Sequence, residues 1–396
     1  MAATLLSHVV SDLCIGRPKV LTLLPSTPVA AALAALRAGA DPFVFVDAEP
    51  AAHRLKRGAA AAYVKVGVAD ILCYVCGDAG NLRDPAAALG RPVSAVAAGY
   101  GVSHRVDPQT RLLDAIDVLL TDGCQSLLVP LHARGRKRHH QVPSDAVATA
   151  DCCVLTREDI VRHLFGSISH FSPVAVLTVA SLGLVRRDVH AVHVADDGLD
   201  AIPLLRRAVS DGTAVAVVAD DNALVGEICP SVLASCDVES VSAAFAALSV
   251  GDVMTYIDCS LSHTPPEFLL RAVRAQLKDR GLDAIAELMD TAEAASLPLS
   301  PSSSSTSSDE DSPSGRGRRP RRMSSGSLGW RSTEDVMACH SGSSLVAVMA
   351  QALAHRVGYV WVVDETSSAL VGVVRFADVL AVLLEHLRPQ SQLLCR

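Results

Sequence analysis

Thr156 and Asp159 are the residues of this chain whose types and spacing best suit ligand chemistry. They lie three residues apart in CCVLTREDIVRHLF, Cys152 to Phe165, a stretch typical of a buried strand that runs directly into a helix. A hydroxyl there can donate to a phosphate oxygen, and a carboxylate can accept from the two hydroxyls of a ribose. The pair equally suits a structural role, in which Thr156 caps the helix and Asp159 is its acidic first-turn residue.

The elements that position this pair recur along the chain, and four times the pattern predicts a strand, a helix, two further strands and a second helix. In the clearest copy, Asp107-Pro108 opens a helix and Gly123 follows it. The predicted strands are 19–23, 43–46 and 62–66; 102–106, 126–131 and 152–155; 190–194, 214–218 and 223–228; and 359–363 and 370–374. The turns before the second helices place Asp70, Asp159, Val232 and Asp378 at equivalent positions, with a repeat length of about 74 residues once 262–333 is treated as an insertion.

Composition limits the function classes. The chain has 396 residues, half of them apolar and only 4% aromatic, which predicts two or three domains with cores of small aliphatic side chains. The formal net charge of -7 gives no general attraction to nucleic acid or anionic membranes, and no apolar run is long enough for a membrane span. Eleven cysteines without metal-ligand spacing suggest reduced thiols. A cytoplasmic protein is expected, and the basic loop 133–140 leaves a nuclear location open.

The repeats resemble cystathionine-β-synthase (CBS) domains, and the chain resembles the plant CBS-domain-containing protein family. The resemblance is carried by HVVSDLCIGRP, ICPSVL, GDVMTYID and AHRVGYVWVV, at 8–18, 228–233, 251–258 and 354–363. It implies a mixed α/β (α+β) fold of tandem CBS repeats, each a small three-stranded sheet with two helices. Two Bateman modules are expected at 1–170 and 171–396, packed head to tail. The four repeats would span about 8–76, 92–166, 176–236 and 250–388.

The resemblance also implies a ligand site. The family's ribose and phosphate motif is Ser or Thr followed three residues later by Asp, and Thr156 with Asp159 matches it. The first repeat keeps Asp70 with Gly67 at the hydroxyl position, and the fourth keeps Asp378 with Arg375, which could grip a phosphate or simply lie exposed at a helix start. The third has Cys229 and Val232. The tightest adenosine phosphate site is therefore predicted at Thr156 and Asp159.

A regulatory protein without enzymatic activity follows from the resemblance and from the lack of GxSxG, Walker or HExxH motifs in the sequence. No metal and no required cofactor is expected, but AMP, ATP or an S-adenosyl compound is a possible ligand. A protein partner is expected. In organisation the chain is similar to the gamma subunits of SNF1- and AMP-activated-type kinases, so a scaffold or gamma-like subunit with degenerate nucleotide sites is the alternative.

The insertion has two parts. The capping box Thr264 to Glu267 predicts a helix that buries Phe268, Leu269, Ala272, Val273 and Leu277, followed by a second helix at 282–289. This helical pair is expected to pack on its own module. Residues 296–329 are rich in Ser, Pro and Arg, and they are predicted to be disordered because they have almost nothing to bury.

Limited proteolysis should therefore cut first within 296–329, and removal of this tract should leave the melting temperature nearly unchanged. Fragment masses over a time course measure the order of cleavage. Digestion of the repeats while the tract stays intact would contradict the prediction.

Overall fold

A computed structural model of the protein describes residues 7–39, 41–47, 63–97, 102–121, 124, 126–131, 147–149, 152–262, 265–296 and 336–394. Its strands are β1 Leu21–Leu23, β2 Phe43–Asp47, β3 Tyr63–Gly67, β4 Val102–Arg105, β5 Ser126–Pro130, β6 Val147–Thr149, β7 Cys152–Thr156, β8 Ala191–His193, β9 Val215–Val218, β10 Leu224–Ile228, β11 Ala338–Cys339, β12 Tyr359–Val363 and β13 Leu370–Arg375. Of the tract 296–329, predicted to be disordered, Ser296 is the last residue of a helix and the rest lies outside the described residues, as do Gly123 and the capping residue Thr264.

The helices alternate with these strands. They are α1 Val29–Ala38, α2 Val68–Cys76, α3 Ala79–Arg83, α4 Pro85–Gly90, α5 Ser94–Ala97, α6 Leu112–Leu120, α7 Arg157–Phe165, α8 Ser172–Ala175, α9 Ala201–Asp211, α10 Pro230–Leu233, α11 Val238–Ala247, α12 Val250–Ser262, α13 Glu267–Asp279, α14 Asp283–Ser296, α15 Leu345–Ala354 and α16 Phe376–Leu394. None of the described helices is long and apolar enough to cross a membrane.

One three-stranded unit is built four times. Its first strand runs parallel to its second, and its second is antiparallel to its third, as in β1, β2 and β3, where Thr22 pairs with Phe45 and Val44 with Val66. The same order holds for β4, β5 and β7, for β8, β9 and β10, and for β11, β12 and β13. The helix between the first two strands provides the parallel crossover. The predicted mixed α/β fold is confirmed.

The two modules join their repeats differently. In the first module, β3 pairs directly with β4, so that both repeats share a seven-stranded sheet in the order β6-β1-β2-β3-β4-β5-β7. In the second module, the two three-stranded sheets stay separate. Side chains and isolated bridges connect them instead, such as the backbone bridge between Ala223 and Ala369 and the bond from Asn222 Nδ2 to the Leu370 carbonyl (2.9 Å).

The modules lie side by side in the same orientation, so the expectation of head-to-tail packing is wrong. Helix α2 of the first repeat packs on α9 and α11 of the third, and α16 of the fourth packs on α6 and α7 of the second. Ion pairs follow the same arrangement. Arg37 contacts Asp237 and Glu239, and Arg388 pairs with Asp117 at 2.6 Å. Such packing depends on the shapes of helix faces far apart in the chain, which local patterns do not reveal.

The fourth repeat has its first strand at Ala338–Cys339, beyond the insertion. Helix α12 instead belongs spatially to the third repeat, because the Val250 amide donates to the Asp196 carbonyl and the Gly251 amide to the Val194 carbonyl, both at 2.9 Å. A Cβ at position 251 would lie 2.7 Å from a Val194 methyl group, so this close approach requires glycine. The exact domain and repeat boundaries stay a prediction.

The insertion helices pack as expected on their own module, since α13 and α14 both lie against α11. Helix α14 also reaches α3 and α4 of the first module and so bridges the two modules. One predicted core position is wrong: Phe268 is 67% exposed, whereas Leu270 is buried. The buried face is set by Leu269, Val273 and Leu277 at four-residue spacing, and this places Phe268 at its edge.

A buried polar cluster holds the second module together. The carboxyl group of Glu227, on β10, is fully buried and accepts from the Tyr359 hydroxyl (2.9 Å) and the Trp361 indole N–H (2.7 Å), both on β12. A buried polar group that loses a partner retains its desolvation cost without the compensating bond. Because both donors come from the neighbouring repeat, this glutamate connects repeats three and four.

Tyr359→Phe should lower the free energy of unfolding by about 1 to 3 kcal/mol, because it removes only the hydroxyl that donates to Glu227. Urea denaturation followed by fluorescence and circular dichroism measures the change. The exposed Phe268→Ala serves as the control and should shift the midpoint little. An unchanged midpoint for Tyr359→Phe would show that Glu227 does not depend on this donor.

Candidate functional site

Thr156 and Asp159 meet where β7 runs into α7. The Thr156 backbone N–H and hydroxyl each donate to Asp159 Oδ2 at 2.8 Å, and the Asp159 amide donates back to Thr156 Oγ1 at 3.3 Å. This is a reciprocal capping box, which satisfies the first free amides of the helix. The structural role that the sequence allowed is therefore present.

The other oxygen of Asp159 is taken by an arginine from the start of the chain. Arg17 Nη2 lies 2.5 Å from Asp159 Oδ1, and the same guanidinium donates to the carbonyls of Leu13 (2.9 Å) and Val154 (3.3 Å). The side chains are partly shielded, with 31% of Arg17 and 18% of Asp159 exposed. Both oxygens of this carboxylate are thus engaged within the chain.

The fourth repeat shows the same arrangement. Arg186 donates to Asp378 Oδ1 from Nε (3.0 Å) and Nη2 (2.7 Å), and Arg375 Nε donates to Oδ2 at 2.9 Å. The hydrogen bond with Asp378 raises the pKa of Arg186. The backbone of Arg186 also pairs with Val373, two residues before the turn, whereas Arg17 reaches the equivalent Val154 carbonyl through its guanidinium. The structure brings Arg375 and Asp378 together, as sequence reasoning expected of one site.

The turns of the first and third repeats face inward. Asp70 is 3% exposed and accepts from the Gly67 amide at 2.6 Å. A Cβ at position 67 would lie 3.1 Å from the Pro42 carbonyl oxygen, which leaves little room for a serine or threonine there. In the third repeat, Cys229 Sγ contacts the Ser231 hydroxyl (2.9 Å) and the Tyr359 hydroxyl (3.4 Å), so this position belongs to the buried cluster around Glu227.

A cavity of about 360 Å³ opens beside Asp378, between repeats two, three and four. Three of its lining residues are arginines and two are aspartates, namely Arg157, Arg186, Arg375, Asp211 and Asp378. The remaining lining residues are Leu120, Thr121, Cys124, Ser210, Ala377 and Ala381. Thr156, Asp159 and Asp70 do not line it. Of the residues proposed from sequence, Arg375 and Asp378 are the two that face this space.

Arg157 forms the back wall of this inter-module cavity. Its guanidinium donates to the carbonyls of Cys124 (2.7 Å) and Leu119 (3.2 Å), which fixes its position beneath the end of α6. Burial lowers the pKa of Arg157, and the positive charge of Arg375 acts in the same direction. An anion placed between the two guanidinium groups would offset the effect of the Arg375 charge and stabilise the charged form of Arg157.

Sequence reasoning missed Arg157, Arg186 and Asp211 as members of this cavity. A weak signal existed for Arg186, because Arg17 and Arg186 each precede the first strand of their module by a few residues. Among the described residues, no group of three or more His, Cys, Asp or Glu side chains is placed to hold a metal ion. The ten cysteines in the described part of the chain are free thiols.

Comparisons with known proteins agree with this architecture. The sequence model of the CBS domain matches residues 330–385, which include most of the fourth repeat. CBS domain-containing protein CBSX5 of Arabidopsis thaliana is 35% identical over 98% of this chain and 99% of its own length. The chain belongs to the CBS domain-containing protein family. CBSX6 of the same plant is 25% identical over 96% of this chain and 94% of its own length.

A solved structure shares the overall fold. Protein MJ1225 from Methanocaldococcus jannaschii, described as a proposed archaeal homolog of g-AMPK, aligns with a TM-score of 0.52 at 14% identity, over 95% of this chain and all of that one. At this identity the likeness concerns the fold alone. The family membership explains the four repeated units and makes the protein a member of a regulatory family, so the state of each CBS motif becomes the relevant question.

The capping role of the CBS motif in repeat two can be measured directly. Thr156→Val should lower the free energy of unfolding by about 1 kcal/mol, because it keeps the shape and removes the oxygen that accepts from the Asp159 amide. Thr156→Ser, which keeps that oxygen, is the matched control, and its free energy of unfolding should stay close to that of the parent protein. A loss in Thr156→Ser as large as the loss in Thr156→Val, or a parent-like stability of Thr156→Val, by urea denaturation, would contradict the assignment of the effect to this oxygen.

Proposed function

We propose that this CBS protein is a non-enzymatic regulator that binds an adenosine phosphate in the inter-module cavity and passes the binding on to a protein partner. The observation that carries the proposal is the position of Asp378 and Arg375. They occupy the family's motif positions, and they line a cavity that three further charged residues also face. Carboxylate and guanidinium groups are what a ribose and a phosphate need at close range.

The charges of the cavity favour an anionic ligand. Three arginines and two aspartates give the lining a formal surplus of one positive charge. The N-terminus of α16 adds a partial positive charge at the same place, since this helix begins at Phe376. Arg375 and Arg157 present planar forks that match phosphate oxygens. The phosphate of the ligand would therefore lie between these two arginines.

The ribose would take the place of Arg186 on Asp378. The side chain of Asp378 is 9% exposed, whereas that of Arg186 is 55% exposed, so Arg186 can swing out into the solvent. When the ribose hydroxyls donate to Asp378, Arg186 can turn to the phosphate and keep an anionic partner. The volume of about 360 Å³ is near the lower end of ligand pockets, which span about 300 to 1,000 Å³, and it favours AMP over ATP or an S-adenosyl compound.

A ligand in this cavity would touch both modules at once. Arg157 belongs to repeat two, Asp211 to repeat three and Arg375 to repeat four, so binding couples the module interface to ligand concentration. The partner that recognises this interface would be a protein. Because the chain is similar in organisation to gamma subunits, a SNF1-type kinase is the first partner to test.

A scaffold or gamma-like subunit with degenerate nucleotide sites is the second candidate. It is favoured by the other three motif turns, since Asp159 is occupied by Arg17, Asp70 is buried, and Cys229 belongs to a structural cluster. In this case the modules would serve as a rigid interaction surface without a ligand.

Calorimetric titration with AMP, ATP and S-adenosylmethionine separates the two candidates. The parent protein should bind AMP most tightly, and Asp378→Asn should lower its affinity at least tenfold, because a charged acceptor worth roughly 1.5 to 3 kcal/mol per hydrogen bond is lost. Arg375→Gln should lower the affinity for AMP more than the affinity for adenosine, since the arginine would bind the phosphate.

Asp159→Asn is the matched control at the equivalent turn of repeat two, and it should change AMP affinity by no more than about twofold, a free-energy difference of roughly 0.4 kcal/mol. A larger loss at Asp159 than at Asp378 would restore the order predicted from the sequence. No binding of any of the three compounds by the parent would remove the sensing function and leave the scaffold.

A further inference from the structure

The segment that leads into the first module lies on the second repeat. This leading segment, residues 7–17, contains a 3-10 helix at Val10–Cys14. Its backbone is fastened beside the start of α6, where the amides of Val10 and Ser11 donate to the carbonyls of Thr110 and Pro108, both at 2.9 Å. The Leu112 amide donates back to the His8 carbonyl at 3.0 Å. The leading segment therefore packs on the repeat that carries the intact motif.

Three pairs of side chains fix the leading segment around the Thr156 turn. Arg17 binds Asp159. His8 Nδ1 lies 3.0 Å from His163 Nε2 on α7, with the rings 5.0 Å apart. The Cys14 thiol donates to the Val10 carbonyl at 3.3 Å, and the neighbouring Cys153 thiol raises the pKa of Cys14 while Cys14 lowers the pKa of Cys153. All three partners lie within β7 and α7, on both sides of the motif.

We propose that the leading segment is a built-in occupant of the Thr156–Asp159 motif, which keeps repeat two closed to a ribose-bearing ligand until the segment is released. The proposal rests on the proposed function for the class of ligand, an adenosine phosphate. Arg17 fills the carboxylate oxygen that ribose hydroxyls would need, and Thr156 uses the other. The occupant is part of the same chain, so it competes at a high effective concentration.

The second module shows what the leading segment adds. Arg186 holds Asp378 in the same way, but 55% of its side chain is exposed, compared with 31% for Arg17. The histidine and thiol pairs reinforce Arg17. One module is thus held closed by several contacts, whereas in the other the arginine that covers Asp378 from before the first strand is more exposed and lies beside a cavity.

The histidine pair makes the closure sensitive to acid. A ring-to-ring hydrogen bond needs at least one neutral imidazole. Burial lowers the pKa of His163, and the charge of His8 lowers it further, while Asp12, the other charged group that acts on it, opposes this. When folding lowers the pKa of a base, protonation of that base destabilises the folded state. The contribution is therefore complete above about pH 6.5, the ordinary pKa of histidine, and is lost as the pH falls below it.

Hydrogen–deuterium exchange of the full-length protein tests the attachment without any ligand. In Arg17→Gln, the peptide that contains Val10 and Ser11 should exchange about fivefold faster, because a partly shielded ion pair is worth roughly 1 kcal/mol. Arg186→Gln is the matched control and should leave that peptide unchanged. After correction for intrinsic rates, the parent peptide should also exchange faster at about pH 5.5 than at about pH 7.5, and His163→Gln should remove this difference.

Titration with AMP then tests the closure. In an Asp378→Asn background, Arg17→Gln should raise AMP affinity at least fivefold, and adding Asp159→Asn should cancel the gain. If the parent binds AMP through Asp378 but Arg17→Gln adds no binding, the proposed function stands and the closed-site proposal is overturned. If the parent binds no AMP but Arg17→Gln does, the closed-site proposal holds, and the assignment of the cavity at Asp378 as the AMP site is wrong. Unchanged exchange in Arg17→Gln would overturn the attachment itself.

Discussion

The carboxylate at the start of three of the four closing helices is the constraint on which much of this structure depends. Asp70, Asp159 and Asp378 are all largely withdrawn from water, and an ionised carboxylate in such a place needs hydrogen bonds or a cation. The residue three positions earlier satisfies one oxygen, through the backbone N–H of Gly67 or Thr156 or through the guanidinium of Arg375. For Asp159 and Asp378 the other is satisfied by Arg17 and Arg186, which precede the first strands of their modules in sequence. The pairing of these two acids thereby attaches the segment before the first strand of each module to that module's second repeat.

The same helix starts also create the cavity between the modules. Because repeat two faces repeat four, the turn before α7 and the turn before α16 approach each other, and the positive ends of these helices meet across Arg157 and Arg375. Like charges at short range need an anion or the nearby aspartates between them. Head-to-tail packing would have separated these two turns, so the side-by-side arrangement is what makes a shared anionic site possible.

Local features were predictable from the sequence, and long-range pairings were not. Alternating apolar residues and glycine stops gave the strands and helices of the repeats, because these signals act within a few residues. Gly212, for example, ends α9 in the left-handed region, at φ 71°. The short strand Ala338–Cys339 has too few residues to show a pattern. Arg17 lies 142 residues from Asp159 and Arg186 lies 192 from Asp378, and no local pattern links such pairs.

The residues at the first position of the motif in the four repeats differ for separate physical reasons, and this bears on whether the protein is a sensor or a scaffold. Gly67 faces a carbonyl that leaves little space for a side chain, and Cys229 contributes to the cluster that joins repeats three and four. Thr156 caps its helix, whereas Arg375 turns the position from a donor of one hydrogen bond into a cation beside a cavity. If ligand binding had simply been lost at all four motifs, the four turns would be neutral and would have no role in the fold. Three turns instead serve the fold, and the fourth concentrates charge where a phosphate can reach it, which favours one working site over none.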